Sequence, residues 1–108
     1  MARQESFTRL PAEIVDYAER EHPETPIGDF FDRALRRVGE SNAAEQKSLI
    51  EIGKRLAGKP FSIDLGWVRC PYSIESGVWE RFSEIIEKRK EDPTPLLLGA
   101  VMAEIGMT

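Results

Sequence analysis

Along the first half of the chain, apolar positions recur three and four residues apart. From Pro11 to Glu21, Ile14, Val15, Tyr17 and Ala18 share one face, while Glu13, Asp16, Glu19 and Arg20 fall largely elsewhere, a spacing that predicts a helix. Pro23 stops it. Thr25-Pro26 then reads as an N-cap followed by proline at the first helical position, where the missing N–H costs nothing. Behind it, Ile27, Phe31, Ala34 and Val38, widened by Phe30 and Leu35, predict a second helix ending near Val38, with Gly39 as a left-handed cap. A third helix opens at Asn42, with Glu45 three residues on as in a capping box, and runs through Leu49, Ile50, Ile52 and Leu56 to Gly58.

From Phe61 the period changes to two. Phe61, Ile63, Leu65 and Trp67 alternate with Ser62, Asp64 and Gly66, the pattern of a half-buried strand over 61–67. The phase then slips: Val68, Cys70, Tyr72 and Ile74 continue at the opposite parity, which implies a bulge or turn near Gly66 to Val68. Pro71 confines this stretch to a sheet edge. Val78, Trp79, Phe82, Ile85 and Ile86 define a fourth helix that Pro93 closes. Thr94-Pro95 repeats the Thr25-Pro26 cap, and Leu96 to Met107 is apolar on nearly every side, so this last helix must bury against the rest of the chain or against a partner. The pattern predicts a mainly α protein with short β strands, α+β in class, folded as a single domain over 1–108.

The halves align. Ile14, Val15, Tyr17 and Ala18 fall on Phe82, Ser83, Ile85 and Ile86, and after one extra turn residue Thr25-Pro26 falls on Thr94-Pro95. This reads as an internal repeat, 3–38 and 69–107, joined by the helix over 42–57 and the strand over 61–67. Any two amphipathic helices can be aligned with one gap, so a chance match stays open beside it.

Ser6-Phe7-Thr8-Arg9-Leu10-Pro11, the helix behind it, the Pro23-Glu24-Thr25-Pro26 turn and the second helix resemble the ribbon-helix-helix family of Arc-type repressors and antitoxin DNA-binding domains. The resemblance covers residues 3 to 38 well and 69 to 107 poorly. It implies an antiparallel two-stranded ribbon in the DNA major groove, with the second helix's N-terminus on a phosphate. Carried over, the outward ribbon positions are Arg3, Glu5, Phe7 and Arg9, with Ser6, Thr8 and Leu10 inward. Arg3, Phe7 and Arg9 become the base-contacting set, and Thr25, Ile27 and Thr94 the phosphate contacts. In the second half the outward set is Arg69, Pro71, Ser73 and Glu75, a poor surface for bases, and carboxylates facing phosphates repel. That degeneracy makes a homodimer the preferred assembly over a pseudo-symmetric monomer.

Composition narrows the functions. Of 108 residues, 41% are apolar and 31% charged, as in a folded domain rather than a disordered tail. The net charge is −4, which counts against a nucleic-acid partner unless cations cluster on one face. Arg33, Arg36 and Arg37, then Lys54, Arg55 and Lys59, then Lys88, Arg89 and Lys90 are basic runs that read first as solvated helix faces. The lone Cys70 and the single His22 supply neither a disulfide nor a metal set, and no phosphate loop or nucleophile–base motif is present. Trp67 and Trp79 read as core or interface anchors. The N-terminus has no signal-peptide character and no apolar run is long enough for a bilayer, so the expected location is cytoplasmic. The reading is a non-catalytic, cofactor-free transcriptional regulator, a repressor or antitoxin that binds DNA. The alternative is a small helical adaptor or inhibitor that binds a protein and no DNA, docking through Leu97, Val101 and Ile105 of the last helix.

Overall fold

The computed structural model describes residues 3–58, 66–90 and 92–106. They form a mainly helical α+β fold: β1 (Arg3–Pro11), α1 (Ala12–Glu21), α2 (Ile27–Glu40), α3 (Ala43–Gly58), β2 (Trp67–Glu75), α4 (Ser76–Arg89) and α5 (Pro93–Ile105). Strand, helix, helix thus stands on each side of α3. The expected strand over 61–67 lies outside the described residues except at its end, and Trp67 there begins β2.

β1 and β2 pair antiparallel over their full lengths, from Arg3 opposite Glu75 to Pro11 opposite Trp67, with Phe7 and Pro71 at the middle. The ladder continues one step further, where the Ala12 amide donates to the carbonyl of Gly66, a residue with φ +63°. In a two-stranded ribbon each strand is an edge, which is where a proline in mid-strand is tolerated. One face is buried: Leu10, Cys70, Tyr72 and Ile74 turn into the core, with the Tyr72 ring stacked on Phe31 of α2 at 4.7 Å. The half-buried Thr8 hydroxyl lies 3.4 Å from that of Tyr72, so this polar inward position of β1 finds a partner.

The strands run into α1 and α4 without a loop. α2 fills the centre, with Phe30, Phe31, Ala34, Leu35 and Val38 all buried, and packs on β2, α4 and α5. It does not end as its sequence suggests. Gly39 lies inside the helix, which stops at Glu40, and both the amide and the hydroxyl of Ser41 return to the Val38 carbonyl. Instead of capping, Gly39 meets α4: a Cβ there would stand 3.1 Å from Arg81 Cγ, and Arg81 Nε donates to the Gly39 carbonyl at 3.1 Å. The α3 start is as expected, the Glu45 amide donating to Asn42 Oδ1 at 2.9 Å.

The closest helix contact joins α3 to α5. A Cβ added at Gly53 would sit 1.8 Å from the Pro95 carbonyl oxygen, and one at Gly99 would sit 1.8 Å from that of Leu49. Because 49 meets 99 while 53 meets 95, the two helices run antiparallel, and each offers a glycine where the other's backbone comes closest. Gly99→Ala forces this crossing apart, and we expect a loss of about 1–3 kcal/mol or more. Gly77→Ala, where a Cβ meets nothing within 4 Å, should instead be neutral or gain up to about 1 kcal/mol. Urea unfolding of both variants checks the pair; equal stabilities would contradict the close crossing.

Candidate functional site

The strand alternation that buries Cys70, Tyr72 and Ile74 turns Arg3, Glu5, Phe7 and Arg9 of β1, and Trp67, Arg69, Pro71, Ser73 and Glu75 of β2, to the opposite face. There Phe7 is 48% exposed and Trp67 44%, and with Val68 at 39% near the strand's end they are the exposed large apolar side chains among the described residues. Register sets who faces whom: Arg3 opposes Glu75, Glu5 opposes Ser73, Phe7 opposes Pro71, and Arg9 opposes Arg69.

The three arginines are placed differently. Arg3 is tied to the neighbouring strand, its Nε donating to Ser73 Oγ at 2.9 Å and its Nη2 to the Ser73 carbonyl at 3.0 Å. Arg69 lies over the Phe7 ring, 4.4 Å from the centroid, where the ring's face attracts its charge. Arg9 is exposed and stands opposite a like charge, which costs a ribbon stability when nothing anionic separates the two. At the other end Glu75 is engaged by Arg36 of α2 at 3.3 Å, and Arg36 also holds Asp32 at 3.1 Å.

Among the residues picked out by sequence, Arg3, Phe7 and Arg9 do share one exposed face. The proposed phosphate contacts do not form an equivalent pair. α2 begins beside the ribbon, since a Cβ on Gly28 would touch the Pro71 carbonyl at 3.5 Å. Its N-cap is Pro26, with Ile27 as its first residue and no side-chain cap; Thr25 caps nothing and its amide donates back to the His22 carbonyl at 3.0 Å. α5 differs. Asp92 is its N-cap, and the Asp92 carboxylate accepts from the Thr94 amide at 2.9 Å, so the Thr94 amide is already satisfied by an anion of the chain's own. α5 packs chiefly on α3 and α2.

Leu97, Val101 and Ile105, taken from the sequence as a partner-docking surface, are 6%, 0% and 2% exposed. They belong to the core, because α5 is covered by α2 and α3, and offer no surface in the folded chain. The strand pairing that the homodimer expectation assigned to a second chain is made here between β1 and β2 of one chain. Trp67, read as a core or interface anchor, is exposed on the ribbon and is not part of the core. Arg69 was visible in the sequence as an outward position; its place opposite Arg9 was not, because register depends on both strands.

The first basic run is engaged within the chain, as is Arg89 of the third, whereas Lys54, Arg55, Lys88 and Lys90 are exposed. Arg37 binds Glu104 at 2.6 Å, Arg33 lies 5.8 Å from the Phe30 ring centroid, and Arg89 Nη1 donates to Gln46 Oε1 at 3.2 Å; Lys59 lies outside the described residues. His22 is spent on structure, with Nε2 3.0 Å from the Ile105 carbonyl. Among the described residues no group of three His, Cys, Asp or Glu side chains could hold a metal ion, and no helix is long and apolar enough to cross a membrane. No family model, no curated protein and no solved structure matches the chain.

Two measurements check these placements. Leu97→Asp puts a charge into an apolar site and should abolish cooperative unfolding at ambient temperature; an unchanged melting curve would show α5 exposed. Burial pushes the Cys70 thiol above its ordinary range, so the native chain should resist a thiol reagent that reacts at once in urea. The folded state prefers the protonated thiol, so its contribution is complete below about pH 8.5, the ordinary thiol value, and is lost as pH rises through the raised value. Rapid native labelling would contradict this burial.

Proposed function

We propose that this chain is a non-catalytic, ribbon-helix-helix-like DNA-binding protein that lays the outer face of the β1–β2 ribbon in the major groove, a regulator of the repressor or antitoxin kind. The observation that carries the reading is the exposed Arg9 directly across the ribbon from Arg69. A like-charge cross-strand pair is a cost to folding, and it becomes favourable when both guanidiniums face guanine edges or phosphates. Two strands about 4.8 Å apart fit a groove about 12 Å wide.

The net charge of −4 fits this reading because the acidic residues are concentrated elsewhere. Asp16, Glu19 and Glu21 of α1 and Glu80, Glu84 and Glu87 of α4 are exposed on helices, whereas the ribbon face carries three arginines against Glu5 and Glu75. Phe7 and Trp67 favour a second reading, a protein partner on the same face, since exposed aromatics are enriched at docking surfaces.

Fluorescence anisotropy of a labelled mixed-sequence duplex with the full chain separates the two. We expect binding whose logarithm falls linearly with the logarithm of salt, by about 0.9 for each phosphate engaged. No binding at about 50 mM salt, where such contacts are strong, would refute the DNA reading and leave the protein partner.

A further inference from the structure

The ribbon is two-fold related in its backbone and not in its surface. Both strands have nine residues and Phe7 faces Pro71 at the midpoint, so a two-fold turn about that pair exchanges Arg3 with Trp67, Glu5 with Arg69, Arg9 with Ser73 and Pro11 with Glu75. No outward residue is exchanged for one of its own kind. A symmetric reader of a palindromic site needs the reverse.

The difference is directional. Beyond the midpoint on one side lie Arg9, Arg69 and Trp67, two cations and an exposed indole, with Arg69 stacked on Phe7. On the other side lie Arg3, Glu5, Ser73 and Glu75. Here the single cation is committed to Ser73, and of the two carboxylates one is engaged by Arg36, leaving Glu5 to face whatever approaches. A phosphate-lined groove is attracted to the first end and repelled by the second.

We infer that the chain reads duplex DNA with one end of its ribbon, Arg9 and Arg69 being the specificity-determining pair and Trp67 their aromatic neighbour, so that its preferred site is non-palindromic and taken by a single chain. This rests on the DNA-binding reading above. Arg3 then serves to join the strands and contributes little to affinity.

The test is selection of the full chain on a random duplex pool about two helical turns long, followed by anisotropy on the enriched duplex and on a version made palindromic by repeating its specified half. The variants are Arg9→Ala, Arg69→Ala and Arg3→Ala, with melting curves confirming that each stays folded. One-ended reading predicts specified bases on one side of the site only, and about a twofold statistical gain from the palindrome. Arg9→Ala and Arg69→Ala should each lose about tenfold or more, and Arg3→Ala less than about twofold. A palindromic consensus, or Arg3→Ala as damaging as Arg9→Ala, overturns the inference while leaving DNA binding in place. Failure to enrich any duplex overturns both.

Discussion

Everything in this fold hangs on the pairing of two strands that begin 64 residues apart, Arg3 and Trp67. Closing so long a stretch costs entropy that grows only slowly with length, and nine facing pairs with a buried underside offset it. Because the strands are antiparallel and each enters a helix without a loop, α1 and α4 must leave the ribbon from opposite ends. The helices can then meet only beneath it, where Leu10, Cys70, Tyr72 and Ile74 supply the apolar surface they bury. The same alternation strips the upper face of any role in the core. Arg9, Arg69, Phe7 and Trp67 are therefore exposed because of the arrangement that buries their neighbours.

The two halves also differ in their helices. α4 has 14 residues to the 10 of α1, one helical turn more. α3 lies along α5 at a separation that only glycines 53 and 99 permit. α2 is wedged under the ribbon, its first turn against Pro71 and Tyr72, while α5 packs chiefly on α3 and α2 and is closed at its start by Asp92. The apolar character of α5 on all sides has this origin: it is a central helix, and Leu96 to Val101 are buried without interruption.

Sequence alone carried most of the helical layout. Periodic apolar positions placed all five helices to within a few residues, because each buries one stripe or, for α5, every side. The ends were less legible. Thr25, Thr94 and Gly39 have the residue types of caps, yet Pro26, Asp92 and Ser41 end the helices, since tertiary neighbours such as Arg81 decide where a glycine is needed. The parity slip after Trp67 did separate the inward Cys70, Tyr72 and Ile74 from the outward Arg69, Pro71, Ser73 and Glu75. Which residue opposes which could not be read from either strand alone. That is why Arg3 looked equivalent to Arg9, and why Arg69 looked like part of a failed second ribbon instead of the partner of Arg9. Leu97, Val101 and Ile105 illustrate the converse limit: an apolar helix looks the same in sequence whether it is covered by its own chain or by another.

The outer face of the ribbon is the contact surface we propose, with DNA as its ligand. The most direct measurement is the change in backbone amide chemical shifts across the whole chain as a duplex is added at low salt. The shifts are expected to concentrate at Phe7, Thr8 and Arg9 and at Val68, Arg69 and Cys70, with the exposed faces of α1 and α4 unmoved. Shifts centred on those helices, or none at all at saturating duplex, would contradict it.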